Sequence, residues 1–126
     1  MKVFFETREI DNITVLDCKG RFAYRDEATA FSEKFAELLP SAHEVVIDLS
    51  SVEMIDSAGL GELVVVHMWA RASGCTLKLA GANEHIRNLF ELTNLSSVFE
   101  IHPTLEDALQ ALCGQAGNAR TASHAA

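Results

Sequence analysis

Basic residues are missing from a long stretch in the middle of this sequence. No lysine or arginine lies between Lys34 and Arg71, whereas the stretch contains six acidic residues: Glu37, Glu44, Asp48, Glu53, Asp56 and Glu62. The whole chain has 10 basic and 18 acidic residues and a net charge of −8. Nucleic-acid binding and attachment to anionic lipid both depend on clustered basic groups, so we expect neither. A basic or mixed-charge protein is the partner that this composition favours.

Cysteines and long apolar runs are also scarce. Cys18, Cys75 and Cys113 are odd in number and form no CxxC pair, so we predict no disulfide framework and a reducing compartment. The longest apolar run, residues 63–70, is interrupted by His67 and is too short to span a bilayer. The N-terminal apolar run is too short for a signal peptide. We therefore expect a soluble, cytoplasmic protein without membrane insertion.

The length of the chain suits one domain with a single core. A chain of 126 residues can bury about two-thirds of its surface, which is enough without disulfides or a metal. The last residues, 114–126, are only small or polar. We predict a folded domain over residues 1–113 and a flexible C-terminal tail over residues 114–126.

Strand and helix patterns alternate along the domain. Strands are predicted at Val3–Phe5, Ile13–Leu16, Val45–Leu49, Thr76–Leu79 and Val98–Ile101. Helices are predicted from Ala28 to Pro40, from Ser57 to Gly74, after the N-cap Asn83, and from Thr104 to Gly114. This order predicts an α/β fold in which helices pack on a mixed sheet.

The segment from Met54 to Gly61 is the strongest candidate for a functional site. It places Asp56 and Ser57 where a strand ends and a helix begins, so the serine hydroxyl lies at a helix N-terminus that favours a negative group. Gly59 and Gly61 would let the backbone of another molecule approach closely. A structural explanation also fits: Asp56 or Ser57 caps the helix and the glycines ease its packing. The segment lacks the residues of a phosphate loop or a GxSxG nucleophile.

Nothing in the sequence predicts catalysis, a metal site or a cofactor. The five histidines have no metal-binding spacing. His67 follows Ser57 by ten residues on the same predicted helix, which separates them by about 15 Å and excludes a Ser–His catalytic pair.

The predicted helix after Ser57 is apolar on almost every side. Burial in the core is the first explanation. A partly exposed patch that includes Val66 and Trp69 is the alternative, and it would allow a partner or a second copy of the chain to dock there as a homodimer.

Three segments of the chain resemble a known family. They are Val45–Ser50 (VVIDLS), Met54–Gly61 (MIDSAGLG) and Ile86–Leu95 (IRNLFELTNL). In their order and spacing they are similar to STAS domains of the anti-sigma-factor antagonist type, and the resemblance covers residues 3–112. It implies the STAS fold, with a mixed sheet of four to five strands and about four helices.

The resemblance also implies a function without catalysis. In the family, the serine of this motif is phosphorylated by an anti-sigma factor that is a serine kinase. The unphosphorylated form binds that kinase and frees the sigma factor for transcription, and a serine phosphatase reverses the modification. By position, Ser57 is the phosphorylation site. The partner-binding residues implied are Asp56, Ser57, Ala58, Gly59, Leu60, Gly61, Ala23 and Tyr24.

The chain departs from the family pattern in the loop after the second strand. The loop reads GRFAY over residues 20–24, and Ala23 occupies the position where the family commonly has an acidic residue. STAS domains also occur as structural subunits of signalling or transport complexes. A scaffold subunit that is never phosphorylated is therefore the alternative function.

Overall fold

A computed structural model describes residues 4–113 of the chain. These residues form a five-stranded sheet with strand order β1-β2-β3-β4-β5. The strands are β1 Phe4–Ile10, β2 Ile13–Phe22, β3 Glu44–Ile55, β4 Thr76–Ala80 and β5 Ile101–His102. The edge strand β1 is antiparallel to β2, and the other neighbours are parallel. The predicted α/β fold with a mixed sheet is confirmed.

Three helices connect neighbouring parallel strands, as crossover connections require, and a further helix follows β5. They are α1 Arg25–Leu38, α2 Ser57–Ala72, α3 Glu84–Leu92 and α4, residues 105–113. Asn83 caps α3 as predicted, because its side chain accepts a hydrogen bond from the Ile86 N–H at 2.9 Å. The Thr104 hydroxyl accepts one from the Asp107 N–H at 3.1 Å and caps α4.

The two faces of the sheet are covered unequally. The larger core includes Phe22, Phe31, Leu49, Leu63 and Phe90, and it lies between the sheet and helices α1, α2 and α3. A smaller core on the opposite face joins α4 to the sheet through Ile13, Val46, Ala80, Ala108 and Leu112. Both cores consist of side chains that are almost fully buried, so residues 4–113 form two cores, one on each face of the sheet, and not the single core expected from the length.

One predicted strand, Val98–Ile101, begins too early, because β5 begins only at Ile101. The apolar pair Val98–Phe99 does not begin a strand, because the Val98 N–H donates to the Leu95 carbonyl at 3.0 Å and closes a 3₁₀ turn over Leu95–Ser97. Phe99 is buried against Phe90, with ring centroids 5.8 Å apart. Strand β5 therefore has only two residues. The predicted tail over residues 114–126 lies outside the described residues.

Candidate functional site

Asp56 connects the loop after β2 to the loop after β3, and these two loops form the candidate site. It is the N-cap of α2, and its Oδ1 accepts a hydrogen bond from the Gly59 N–H at 3.0 Å. Its Oδ2 accepts a second one, also 3.0 Å, from the Tyr24 N–H at the start of α1. The Asp56 N–H in turn donates to the Phe22 carbonyl at 3.1 Å. The loop after β2 is therefore fixed against the loop after β3.

These contacts also keep Asp56 ionised. The backbone N–H groups of Gly59 and Tyr24 donate to its carboxylate and lower the pKa of Asp56 below its ordinary value. The site thus carries a fixed negative charge next to Ser57. Of the two residues that the sequence allowed as the helix cap, the structure selects Asp56.

Ser57 is the first residue of α2 and is exposed to solvent. Since Asp56 caps the helix, Ser57 has no capping role, and its hydroxyl makes none of the side-chain hydrogen bonds found within residues 4–113. Its side chain lies at the rim of an open hollow between α1 and α2. The hollow is lined by Arg25, Ala28, Ser57, Ala58, Gly61, Glu62 and Val65.

Arg25 is the residue of this hollow that the sequence reasoning missed. It is the first residue of α1, next to Tyr24, whose backbone has a positive φ of 68°. The hydrogen bond from Tyr24 to Asp56 places this helix start beside α2. Only the tertiary contact between the two loops makes Arg25 a neighbour of Ser57.

The two glycines of the motif have different roles. A Cβ at Gly59 would lie 2.3 Å from the Phe22 carbonyl oxygen, so Gly59 is needed for contact with the chain's own backbone. A Cβ at Gly61 would meet nothing within 4 Å. The prediction that another molecule approaches at both glycines is therefore corrected. Gly59 is already covered by β2, and only Gly61 is exposed.

Four other predicted contact residues also differ in exposure. Ala23 and Leu60 are buried, with 4% and 9% of their surfaces exposed, whereas Tyr24 is 65% exposed. Ala58 is partly buried. We therefore assign Ala23 and Leu60 to the core, and the surface at this end of the sheet consists of Tyr24, Ser57, Ala58 and Gly61.

Three of the six acidic residues in the basic-free stretch lie away from Ser57. Glu44 begins β3 at the opposite end of the sheet, and Glu37 is near the C-terminal end of α1. Asp48 lies in a separate hollow with Ser50 and Gly81. Of the six acids, Asp56 adjoins Ser57 and Glu62 lines its hollow. The charged residues that line the hollow or adjoin Ser57 are thus Arg25, Glu62 and Asp56, so the hollow is not uniformly acidic.

One side of helix α2 is apolar and exposed to solvent. Val66 is fully buried, so the predicted exposed patch at Val66 and Trp69 is only partly correct. The exposed members are Met68 at 62% and Trp69 at 38%. With Gly61, Val65 and Ala72 they continue the surface that begins at Ser57. We call this set, Ser57, Gly61, Val65, Met68, Trp69 and Ala72, the α2 surface.

The histidines and acids show no metal-binding arrangement in the described part of the chain. No group of three or more His, Cys, Asp or Glu side chains within residues 4–113 has a geometry that would hold an ion. His67 packs against Phe99, with ring centroids 5.2 Å apart. None of the helices in residues 4–113 combines the length and apolar character that crossing a membrane requires.

The sheet and the Asp56–Ser57 junction define the class of this domain: a mixed α/β fold in which a capped, serine-initiated helix follows the longest strand. A family model described as "Mlab, STAS domain" matches residues 6–105, and the chain belongs to the STAS domain family. The predicted STAS fold is confirmed.

Similar proteins are named as anti-sigma factor antagonists. The anti-sigma-B factor antagonist of Bacillus subtilis (strain 168) is 30% identical over 83 residues, which cover 66% of this chain and 76% of that protein. The crystal structure of an anti-sigma factor antagonist from Mycobacterium paratuberculosis has a TM-score of 0.78 and 26% identity, covering 87% of this chain and 93% of that chain.

A third match is to the Bacillus cell fate determinant SpoIIAA in its phosphorylated form. It has a TM-score of 0.67 and 14% identity, and the alignment covers 86% of this chain and 99% of that chain. At that identity the match establishes the fold alone.

Proposed function

We propose that this protein is an anti-sigma factor antagonist controlled by phosphorylation of Ser57. In the unphosphorylated state it binds an anti-sigma factor that is also a serine kinase. Phosphorylation of Ser57 by that kinase ends the binding, and a serine phosphatase restores it. The Bacillus subtilis and Mycobacterium paratuberculosis relatives support the antagonist role, and both are named for it. The protein acts by binding and not by catalysis of its own.

The observation that carries the proposal is the free hydroxyl of Ser57. Asp56 supplies the helix cap, so a kinase can reach the Ser57 Oγ without unfolding the start of α2. In the transfer, the Oγ attacks the γ-phosphorus of an ATP held with Mg²⁺ by the kinase. The bond from phosphorus to the departing ADP oxygen breaks, and the hydroxyl proton passes to a base of the kinase.

The α2 surface gives the partner a place to dock beside this serine. Met68 and Trp69 offer exposed apolar contact area, and Gly61 leaves room for a close approach. Large exposed apolar side chains on one helix face are typical of protein-binding sites. Because Ser57 is at one end of the same face, a group added to Ser57 changes the surface that the partner contacts.

A phosphate on Ser57 would leave the fold intact and alter the docked complex. It adds about −1.5 to −2 charges at neutral pH. Within the chain, the N-terminus of α2 and Arg25 offset that charge, whereas Asp56 and Glu62 oppose it. In a complex the phosphate would have to lose its water next to two carboxylates, and this cost favours release of the partner.

Binding measurements with Ser57 variants test the proposal. Candidate partners are the purified proteins of the source organism that contain both a kinase and a sigma-binding function. We expect Ser57→Ala to bind such a partner and to remain bound in the presence of Mg-ATP. Ser57→Asp should bind at least about tenfold more weakly than wild type. Ser73→Asp is the matched control, because Ser73 is exposed at the other end of α2.

Two results would contradict the proposal. One is equal binding of the partner by Ser57→Asp, Ser73→Asp and wild type. The other is a stable assembly in cells in which Ser57 is never modified. Either result would favour the alternative function, a scaffold subunit of a signalling or transport complex.

A further inference from the structure

The edge strand β1 is self-complementary in charge. It reads FFETREI over Phe4–Ile10, pairs with β2 on one side only, and has no described neighbour in residues 4–113 on the other. Charged residues on an edge strand usually discourage pairing with another chain. Here their order has a further consequence: an acid and a base lie symmetrically about Thr7.

The hairpin geometry determines which backbone groups of β1 are free. Ile10 and Ile13 flank a two-residue turn, Asp11–Asn12, whose φ values of 52° and 68° are those of a type I′ turn. The backbone groups of Ile10 therefore point towards β2, and direction alternates along the strand. The N–H and C=O groups of Phe5, Thr7 and Glu9 point away from β2, towards solvent.

Only one antiparallel register pairs this whole edge with a copy of itself without opposing like charges. When Thr7 is opposite Thr7 of a second copy, Glu6 is opposite Arg8 and Arg8 is opposite Glu6. The two ends then pair Phe4 with Ile10. Shifting one copy by two residues in either direction places Glu6 opposite Glu6 or Arg8 opposite Arg8. Like charges that face each other directly destabilise a sheet.

Within residues 4–113, Glu6 faces a like charge and forms no ion pair, so an arginine of a second copy would be a favourable partner. Glu6 is directly opposite Asp17 in the β1–β2 register, a pair of like charges. Arg8 forms an ion pair with Asp17 at 2.8 Å, whereas Glu6 forms none within residues 4–113. Phe4, on the same face of the strand as Glu6, is 58% exposed. Self-pairing would place Arg8 of the second copy beside Glu6 and Ile10 of the second copy beside Phe4.

We propose that two copies of this chain pair through β1, centred on Thr7, to form a continuous ten-stranded sheet. The dimer is weak and reversible, because seven residues from each chain bury less area than a standard protein interface. The α2 surface shares no residue with this edge and remains free. The proposal is therefore independent of the phosphorylation switch.

Cysteine cross-linking tests the register in a Cys113→Ser background, which removes the exposed native thiol. Two residues at position 7 would have Cα atoms about 5.5 Å apart, within the range of a disulfide. Two residues at position 9 would be about 14 Å apart. We expect Thr7→Cys to form a covalent dimer under mild oxidation and Glu9→Cys to remain monomeric. Equal cross-linking of the two, or none with Thr7→Cys, would overturn the register.

Sedimentation velocity with charge variants tests the contacts. Wild type should dimerise increasingly with concentration, and Glu6→Arg should raise the dissociation constant at least about tenfold. The double variant Glu6→Arg/Arg8→Glu should restore wild-type association, since it recreates both ion pairs and places an arginine opposite Asp17. Thr7→Pro should abolish association, because proline has no N–H to donate across the proposed interface. It should keep the fold, because the Thr7 N–H does not bond to β2.

The emission of Trp69 distinguishes a dimer formed through β1 from a dimer formed through the α2 surface. Trp69 is the only tryptophan and lies on the α2 surface, so its emission should not change as the β1 dimer forms. A wild-type chain that is monomeric at all concentrations would overturn the proposal. A dimer that survives Thr7→Pro and shifts the Trp69 emission would overturn it as well, and would place the interface on α2.

Discussion

Asp56 uses both oxygens of one carboxylate to hold two loops together. Replacing it with alanine removes the cap of α2 and the contact with Tyr24. We expect Asp56→Ala to lower the free energy of unfolding by about 1–2 kcal/mol, measured by urea denaturation. Asp56→Asn keeps one acceptor oxygen and should lose less. Equal stability of wild type and Asp56→Ala would contradict the role of this cap.

The ionisation of Asp56 makes part of this stability depend on pH. The pKa of Asp56 is lowered in the folded state by the N–H groups of Gly59 and Tyr24. The carboxylate therefore stabilises the fold above its unfolded pKa, about 3.9, and this contribution is lost as the pH falls through the folded pKa. Thermal melts from pH 7 to pH 3 should show the gap between wild type and Asp56→Asn closing below about pH 4. A gap that stays constant would count against this explanation.

Alanine at Gly59 and alanine at Gly61 should change the stability of the fold in opposite directions. A methyl group at Gly59 would overlap the Phe22 carbonyl, so Gly59→Ala should cost about 2–3 kcal/mol of stability. A methyl group at Gly61 points into open space and improves helix propensity, so Gly61→Ala should gain about 1 kcal/mol. If Gly61 admits a partner, Gly61→Ala should weaken partner binding while the melting temperature rises. Equal destabilisation of both variants would refute the difference between the two positions.

At the scale of elements, an ion pair between a buried lysine and a half-exposed glutamate holds β4 to the end of the sheet. Lys78 on β4 is 3% exposed and donates to Glu100, which also contacts His102 at 2.7 Å. The hydrogen bonds from Lys78 and His102 lower the pKa of Glu100. This network connects β4 to the two-residue strand β5, which has few backbone contacts of its own.

Removing Glu100 and removing Lys78 should lower the stability of the fold by unequal amounts. Glu100→Ala leaves the buried Lys78 ammonium without its counter-charge and should cost about 3 kcal/mol in urea denaturation. Lys78→Met replaces the buried charge with an apolar chain of similar length, and the half-exposed Glu100 can turn to water, so the cost should be below about 1 kcal/mol. The reverse order of stabilities would contradict burial of Lys78.

Local patterns predicted most elements because each has its own periodicity or cap. The exceptions depend on contacts far along the chain. Strand β3 continues past Leu49 to Ile55, through several polar residues, because β2 pairs with it as far as Phe22–Ile55. Val98 and Phe99 have the composition of a strand, but Phe99 is drawn into the core beside Phe90. Neither outcome is encoded in the neighbouring residues.

At the scale of the whole molecule, the fold redistributes the charges of the sequence. The basic-free stretch gathers six acidic residues in the sequence, yet Glu37 and Glu44 are at the opposite end of the sheet from Ser57. The motif itself was enough to predict Asp56 and Ser57 at the start of a helix. Arg25 was not predictable, because its place beside Ser57 depends on how two distant loops meet.

The most direct test of the central claim compares two forms of the same chain with the same partner. The protein is phosphorylated by its kinase partner with Mg-ATP, the modified residue is located by peptide mass spectrometry, and both forms are titrated into the partner by calorimetry. We predict a single phosphate on Ser57 and affinity at least about tenfold lower for the phosphorylated form. A phosphate at another residue, or equal affinities of the two forms, would contradict the proposed switch.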